Sequence, residues 1–244
     1  MNPGLTVATA GRVLRQIRTD HRTIALIMLV PMVSIGLIAW IYDNTPIFDA
    51  IGPALLGVFP MIVMFVVTSV ATLRERQSGT LERLLTTPMG KADFMLGYAG
   101  AFGTLAVVQA LLATSFAIGV CGLDVVGPVW MLVLVAVLVA ILGTSLGLLA
   151  SAFARTEFQA VQFMPAFITP QFLLCGLLVD RDRLPDVLSA VSDVLPLSYA
   201  VDAMKEVTTH AEVTSAGVWS MAIVVGFIVL ALALASLTLS RRTP

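Results

Sequence analysis

The chain has 244 residues, is 58% hydrophobic and 12% charged, and carries a net charge of −1 with a mean hydropathy of +0.97. Soluble domains are about half apolar and a quarter charged, so a membrane protein is indicated and nucleic-acid binding is not. Two cysteines, Cys121 and Cys175, do not make a disulfide framework or a CxxC metal site.

Residues 5–22 come first. Ala10, Val13, Leu14 and Ile17 recur at helical spacing, while Arg12, Arg15, Arg18 and Arg22 fall on another arc. This is the pattern of an amphipathic helix lying in the membrane interface. The apolar run that follows is too long for a cleavable leader and lacks a small-x-small cleavage site, so it is expected to remain as a membrane span.

Six runs approach the roughly 20 apolar residues that cross a bilayer: 24–42, 52–72, 94–120, 128–152, 158–179 and 217–239. None holds Asp, Glu, Lys, Arg or His in its interior. With alternating spans, eleven Lys and Arg fall on one side (Arg12, Arg15, Arg18, Arg22, Arg74, Arg76, Arg83, Lys91, Arg155, Arg241, Arg242) and three on the other (Arg181, Arg183, Lys205). Cytoplasmic loops retain basic residues, so both termini are predicted to be cytoplasmic in a multi-pass plasma-membrane protein. The expected fold is an all-α integral membrane domain, a single unit over 1–244, with six transmembrane helices.

The loop after the second run, LRERQSGTLERLLTTP over 73–88, concentrates Arg74, Glu75, Arg76, Glu82 and Arg83. Ser78 and Gly79 allow a turn, Thr80 can cap a helix from Leu81, Glu82 complements its dipole, and Pro88 ends it. Two turns of helix are marginal alone in water, so this piece is expected to rest on the bilayer surface or on a partner protein. Glu75 and Glu82 contribute little to orientation, and opposite charges around Leu81, Leu84 and Leu85 suit a protein contact with an apolar centre and a charged rim.

Residues 75–88, E-R-Q-S-G-T-L-E-R-L-L-T-T-P, resemble the signature that follows the second transmembrane helix in permease subunits of ABC-2 type transporters. The matching positions are Glu75, Arg76, Gly79, Thr80, Glu82, Leu85, Thr87 and Pro88. Gln77 and Ser78 stand where the family often has a second acidic residue. The resemblance implies that segment 74–91 couples the chain to a separate ATP-binding subunit, with ATP and Mg held there and no cofactor on this chain. It further implies an elbow helix over 5–22, short external helices within 180–210 before the last span, and a permease homodimer or pseudo-dimer. The subgroup it looks most like is the drug-resistance exporters of the daunorubicin/doxorubicin type. The expected activity is efflux of a hydrophobic or amphipathic substrate, a drug, lipid or lipid-linked molecule, with the cell inner membrane as its site.

By itself, segment 180–210 reads as amphipathic pieces lying at or dipping into the outer leaflet. Pro185 stands near a helix start, Val187, Leu188, Val191, Val194 and Leu195 form a stripe, Pro196 breaks it, and a second helix runs through Tyr199 to Val207. Met61, Met64, Gln109, Gln162, Met164 and Gln171 are candidates for lining a substrate path, being soft or polar side chains inside apolar runs. Ion-coupled carriers normally keep a titratable group within a span, and these runs have none. Gly90-Lys91-Ala92 is no phosphate-binding loop, and His21 and His210 suggest no metal site. An ion-coupled carrier and a membrane-embedded enzyme or scaffold are the rival readings; neither finds its chemistry here, and the expected role is a non-enzymatic transport subunit.

Overall fold

The computed structural model describes residues 3–43, 45–78 and 90–238. Among these are nine α-helices and no strand: α1 Pro3–Thr19, α2 His21–Ile41, α3 Ile47–Gln77, α4 Lys91–Gly119, α5 Val129–Phe153, α6 Glu157–Leu174, α7 Asp186–Ser192, α8 Pro196–Thr209 and α9 Ser215–Thr238, with a 3-10 turn at Arg181–Arg183. Five of them, α2, α3, α4, α5 and α9, are long and apolar enough to cross a membrane. The pair α7 and α8, bent by 85°, makes a sixth if the two are one span. The run expected over 158–179 becomes the 18-residue α6, diluted by Glu157, Gln159, Gln162 and Gln171. It stops at Leu174 because the chain turns at Gly176, whose φ of +87° lies in the left-handed region that glycine adopts without strain.

The α3 and α5 helices form the centre. Lipid tails are as apolar as leucine, so helices associate in a bilayer through close packing and hydrogen bonds more than through hydrophobic transfer. Gly143 and Gly147 of α5 lie against the backbone of Met61 and Phe65 of α3; a Cβ at Gly147 would stand 2.6 Å from the Phe65 carbonyl oxygen. Leu56, Met61, Phe65, Leu132, Leu142 and Met204 fill the core around this contact. A second core joins α1, α2 and α4 through Val13, Ile27, Phe94, Tyr98 and Phe102. There Gly97 admits α1, since a Cβ would come 2.6 Å from that of Thr9.

The α2 helix buries only Ile27, Pro31 and Ile35, a single seam at i, i+4, i+8, and exposes Leu26, Leu29, Val33, Leu37 and Trp40. Pro31 has no N–H, so the Ile27 carbonyl four residues earlier loses its helical donor. Gln109 of α4 replaces it, its Nε2 donating to the Ile27 oxygen at 2.7 Å in a buried contact.

The segment expected to lie at or dip into the outer leaflet divides in two. Short α7 leaves Val187, Leu188 and Val191 exposed, whereas α8 buries Leu197, Ala200, Val201, Ala203, Met204 and Val207 among α3, α5, α6 and α9. Gln171 of α6 accepts a hydrogen bond from the Leu197 amide at 3.3 Å, at the buried start of α8. Arg181 pairs with both Asp193 and Asp202 and stacks over Tyr199, and Lys205 reaches Asp180 at 3.1 Å and the Gly176 carbonyl at 2.7 Å. That bond to Lys205 holds the Asp180 carboxyl below the usual carboxylate range.

Gln109→Leu leaves the Ile27 carbonyl without a donor and is expected to destabilise the protein by about 1–3 kcal/mol, the penalty of a buried unsatisfied group. Adding Pro31→Ala restores the helical N–H and should recover most of that loss. Thermal unfolding of the single and double variants measures both effects.

Candidate functional site

The last turn of α3 carries four consecutive polar side chains, Arg74, Glu75, Arg76 and Gln77, immediately before the segment that the sequence singles out. Successive helical residues point about 100° apart, so four in a row sweep most of the circle and reach different neighbours.

Arg74 makes a two-pronged pair with Glu157 at the start of α6, Nε to Oε1 at 2.7 Å and Nη2 to Oε2 at 2.8 Å. Both side chains are solvent-exposed, so this pair is worth at most about 1 kcal/mol. Glu75 points inward with a side chain only 7% exposed, and its Oε1 accepts from Nη1 of Arg12 in α1 at 2.7 Å. The other terminal nitrogen of Arg12 donates to the Tyr98 hydroxyl of α4 at 3.2 Å, and the guanidinium lies 6.0 Å from the centre of that ring. Arg76 donates to the Ser151 carbonyl of α5, and Gln77 donates from Nε2 to the Arg155 carbonyl between α5 and α6 at 2.7 Å. That turn is itself fixed: Gln159 accepts from the Arg155 amide at 2.8 Å, and Thr156 caps α6 by accepting from the Gln159 amide at 3.1 Å. The end of α3 is thus fastened to α1, α5 and α6, and through Arg12 to α4.

The residues expected to take part in coupling separate here. Glu75 and Arg76 are held by contacts within the chain, while Gly79, Thr80, Glu82, Leu85, Thr87 and Pro88 lie outside the described residues. Sequence reading placed Arg12 on the headgroup-facing arc of an interfacial helix and Arg74 and Gln77 in the loop; it had no signal for their partners, which are 63 to 86 positions away. Of the path candidates, Met61 and Met64 are fully buried, Gln109 and Gln171 are buried on the backbone contacts given above, Met164 is half-buried and Gln162 is exposed. Among the described residues no three His, Cys, Asp or Glu side chains gather to hold a metal ion.

Residues 5–209 match the family model described as ABC-2 type transporter. The chain is similar to ABC transporter G family member 20 of Dictyostelium discoideum, 26% identical over 164 residues, which cover 67% of this chain and 22% of that protein. It is also similar to two proteins of Escherichia coli (strain K12) named as probable multidrug ABC transporter permeases. YbhS is 25% identical over 154 residues, 63% of this chain and 41% of that protein, and YbhR is 25% identical over 168 residues, 69% and 46%. The aligned regions span less than half the length of these relatives.

Glu75→Gln leaves the Arg12 charge facing a neutral partner in a half-buried site, a change expected to cost about 2 kcal/mol, below the 3–5 of a fully buried pair. The predicted signature is faster hydrogen exchange in α1. Replacing both partners, Arg12→Met with Glu75→Met, should restore protection toward that of the original protein, because no uncompensated charge remains. Peptide-resolved exchange of the three proteins decides.

Proposed function

The chain belongs to the ABC-2 type transporter family, and on that premise we propose that it is the membrane permease subunit of an ATP-driven exporter, moving a hydrophobic or amphipathic substrate with energy from a separate ATP-binding subunit. The observation that carries this reading is the fastening of residues 74–77 to three other helices, and through Arg12 to a fourth, at the root of segment 79–89. A force applied by a partner to that segment enters α3 and is shared at once with α1, α4, α5 and α6. In this reading the arginine-rich end faces the cytoplasm, ATP and Mg reside on the partner, and no catalytic step belongs to this chain. The apolar runs add a reason: residues 24–42, 52–72, 94–120, 128–152, 158–179 and 217–239 contain no acid or base of the kind that an ion-coupled carrier would need.

The outward face of α6 supports a place for the path. Pro165 and Pro170 remove the helical donors for the carbonyls of Val161 and Ala166, and both of those residues are exposed. Gln162 and Thr169 share this exposure, with no hydrogen bond from either side chain among the described residues. Backbone and side-chain polar groups that face hydrocarbon without partners are costly enough to be avoided, so this face fits a hydrated path, walled by a second copy of the chain, better than it fits lipid. An apolar bundle and the names of the E. coli relatives support a hydrophobic or amphipathic substrate.

Two outcomes test the proposal. Glu82→Lys, in proteoliposomes containing the chain and an ATP-binding subunit, is expected to lower export at least about tenfold while the protein remains inserted and ATP hydrolysis continues, because a charge reversal at a protein contact typically costs more than 1.4 kcal/mol, a factor of ten. Undiminished export with undiminished capture of the partner would count against the coupling role. On a Cys121→Ser, Cys175→Ser background, Thr169→Cys should react with a water-soluble maleimide far faster than Val33→Cys on the lipid-facing side of α2. Equal, slow labelling would show that α6 faces lipid.

A further inference from the structure

The basic residues of α1 and of the first turn of α2, where Arg22 lies, divide into two sets. Arg12 turns inward to Glu75 and Tyr98, whereas Arg15, Arg18 and Arg22 remain on the exposed edge. Arg15 uses only its Nε, on the Gly11 carbonyl of its own helix at 3.2 Å. Among the described residues none of the three makes an ion pair, and α1 contains no acidic residue. The nearest carboxylate in sequence, Asp20, caps α2, accepting from the Thr23 amide at 3.2 Å and the Thr23 hydroxyl at 2.7 Å. Those bonds hold its carboxyl below the usual carboxylate range.

The position of this edge is also constrained. One residue, Asp20, separates the end of α1 from the start of α2, a membrane-crossing helix. The three guanidinium groups therefore stand within about two turns of the level where the chain enters the bilayer. On the same helix Val7 is 71% exposed, and just beyond Arg22 α2 exposes Leu26 and Leu29, whereas Ala10 and Leu14 pack against the second core. An unneutralised basic edge next to an apolar one, at the height of the headgroups, is complementary to a phosphate-bearing surface above acyl chains. Guanidinium groups suit this, since the planar fork binds phosphate oxygens in pairs and is weakly hydrated.

We propose that Arg15, Arg18 and Arg22 form a binding surface for the headgroups of anionic phospholipids. This surface is independent of the transport reading. It also bears on α3, because the same helix is tied through Arg12 to Glu75 at the end of that helix.

The test uses the full chain in neutral detergent micelles with phosphatidylglycerol or phosphatidylcholine as the added lipid. Phosphatidylglycerol is expected to bind at least about tenfold more tightly at low salt, since each basic residue near an anionic surface adds about that order of selectivity or slightly less. The preference should shrink as salt rises to about 0.5 M, where screening shortens to a few ångströms. The triple variant Arg15→Gln, Arg18→Gln, Arg22→Gln should bind the two lipids alike, while Arg183→Gln, at the other end of the bundle, keeps the preference. Equal affinity of the unmodified protein for the two lipids, a preference that survives the triple variant, or its loss in Arg183→Gln overturns the proposal. So does competition by soluble glycerol phosphate as strong as that by the lipid, which would mark an isolated anion site. If the triple variant fails to fold, the lipid comparison and salt titration on the unmodified protein still decide.

Discussion

Inside a bilayer the backbone has no water to turn to, and every peptide N–H and C=O must find its partner within the protein. Prolines inside α2 and α6 make this demand visible, because each strips a donor from the turn before it. At Pro31 the demand is met by Gln109 from α4, which binds two helices whose side-chain contact is otherwise a narrow seam. At the start of α8 it is met by Gln171 from α6. On the outer face of α6, Val161 and Ala166, whose carbonyls the prolines leave without a helical donor, are exposed residues, as are Gln162 and Thr169. One rule therefore explains both the glutamine contacts that hold the bundle together and the face on which the proposed path is placed.

The centre of the bundle gives this arrangement its stiffness. Gly143 and Gly147 let the α5 backbone touch that of α3, so the two helices meet without intervening side chains that could slide or rotate. A helix gripped in this way along its middle can act as a lever at its end. The four side chains at residues 74–77 connect that end to α1, α5 and α6, and Arg12 extends the connection to α4. Their contacts differ in kind: the Arg74 pair is exposed and adjustable, whereas the Glu75 pair is shielded and costly to break on one side only.

Charge is handled differently at the two ends. The arginine-rich end keeps a basic surplus, part of it directed into the helix contacts and part left on the exposed edge of α1. At the opposite end Arg181 and Lys205 are neutralised by Asp180, Asp193 and Asp202, which knit the 3-10 turn, α7 and α8 together. Arg183 alone of the three basic residues there makes no ion pair among the described residues. Counting Lys and Arg therefore understates the asymmetry between the ends, since two of the three exceptions serve as structural clasps.

The amino-acid sequence by itself determined the class of protein, the approximate helices and the family, because long apolar runs admit few alternatives and residues 75–88 carry a local signature. It also placed a helix start near Pro185 and a break at Pro196, where the proline ring dictates local geometry. The tertiary structure decided what local patterns cannot encode. Glu75 pairs inward with Arg12, Gln109 is the surrogate donor for Ile27, and α8 is covered by α3, α5, α6 and α9. Each depends on groups brought together from more than ten, and often more than sixty, positions apart, and a periodicity that repeats every few residues says which side of a helix is apolar without saying what will cover it.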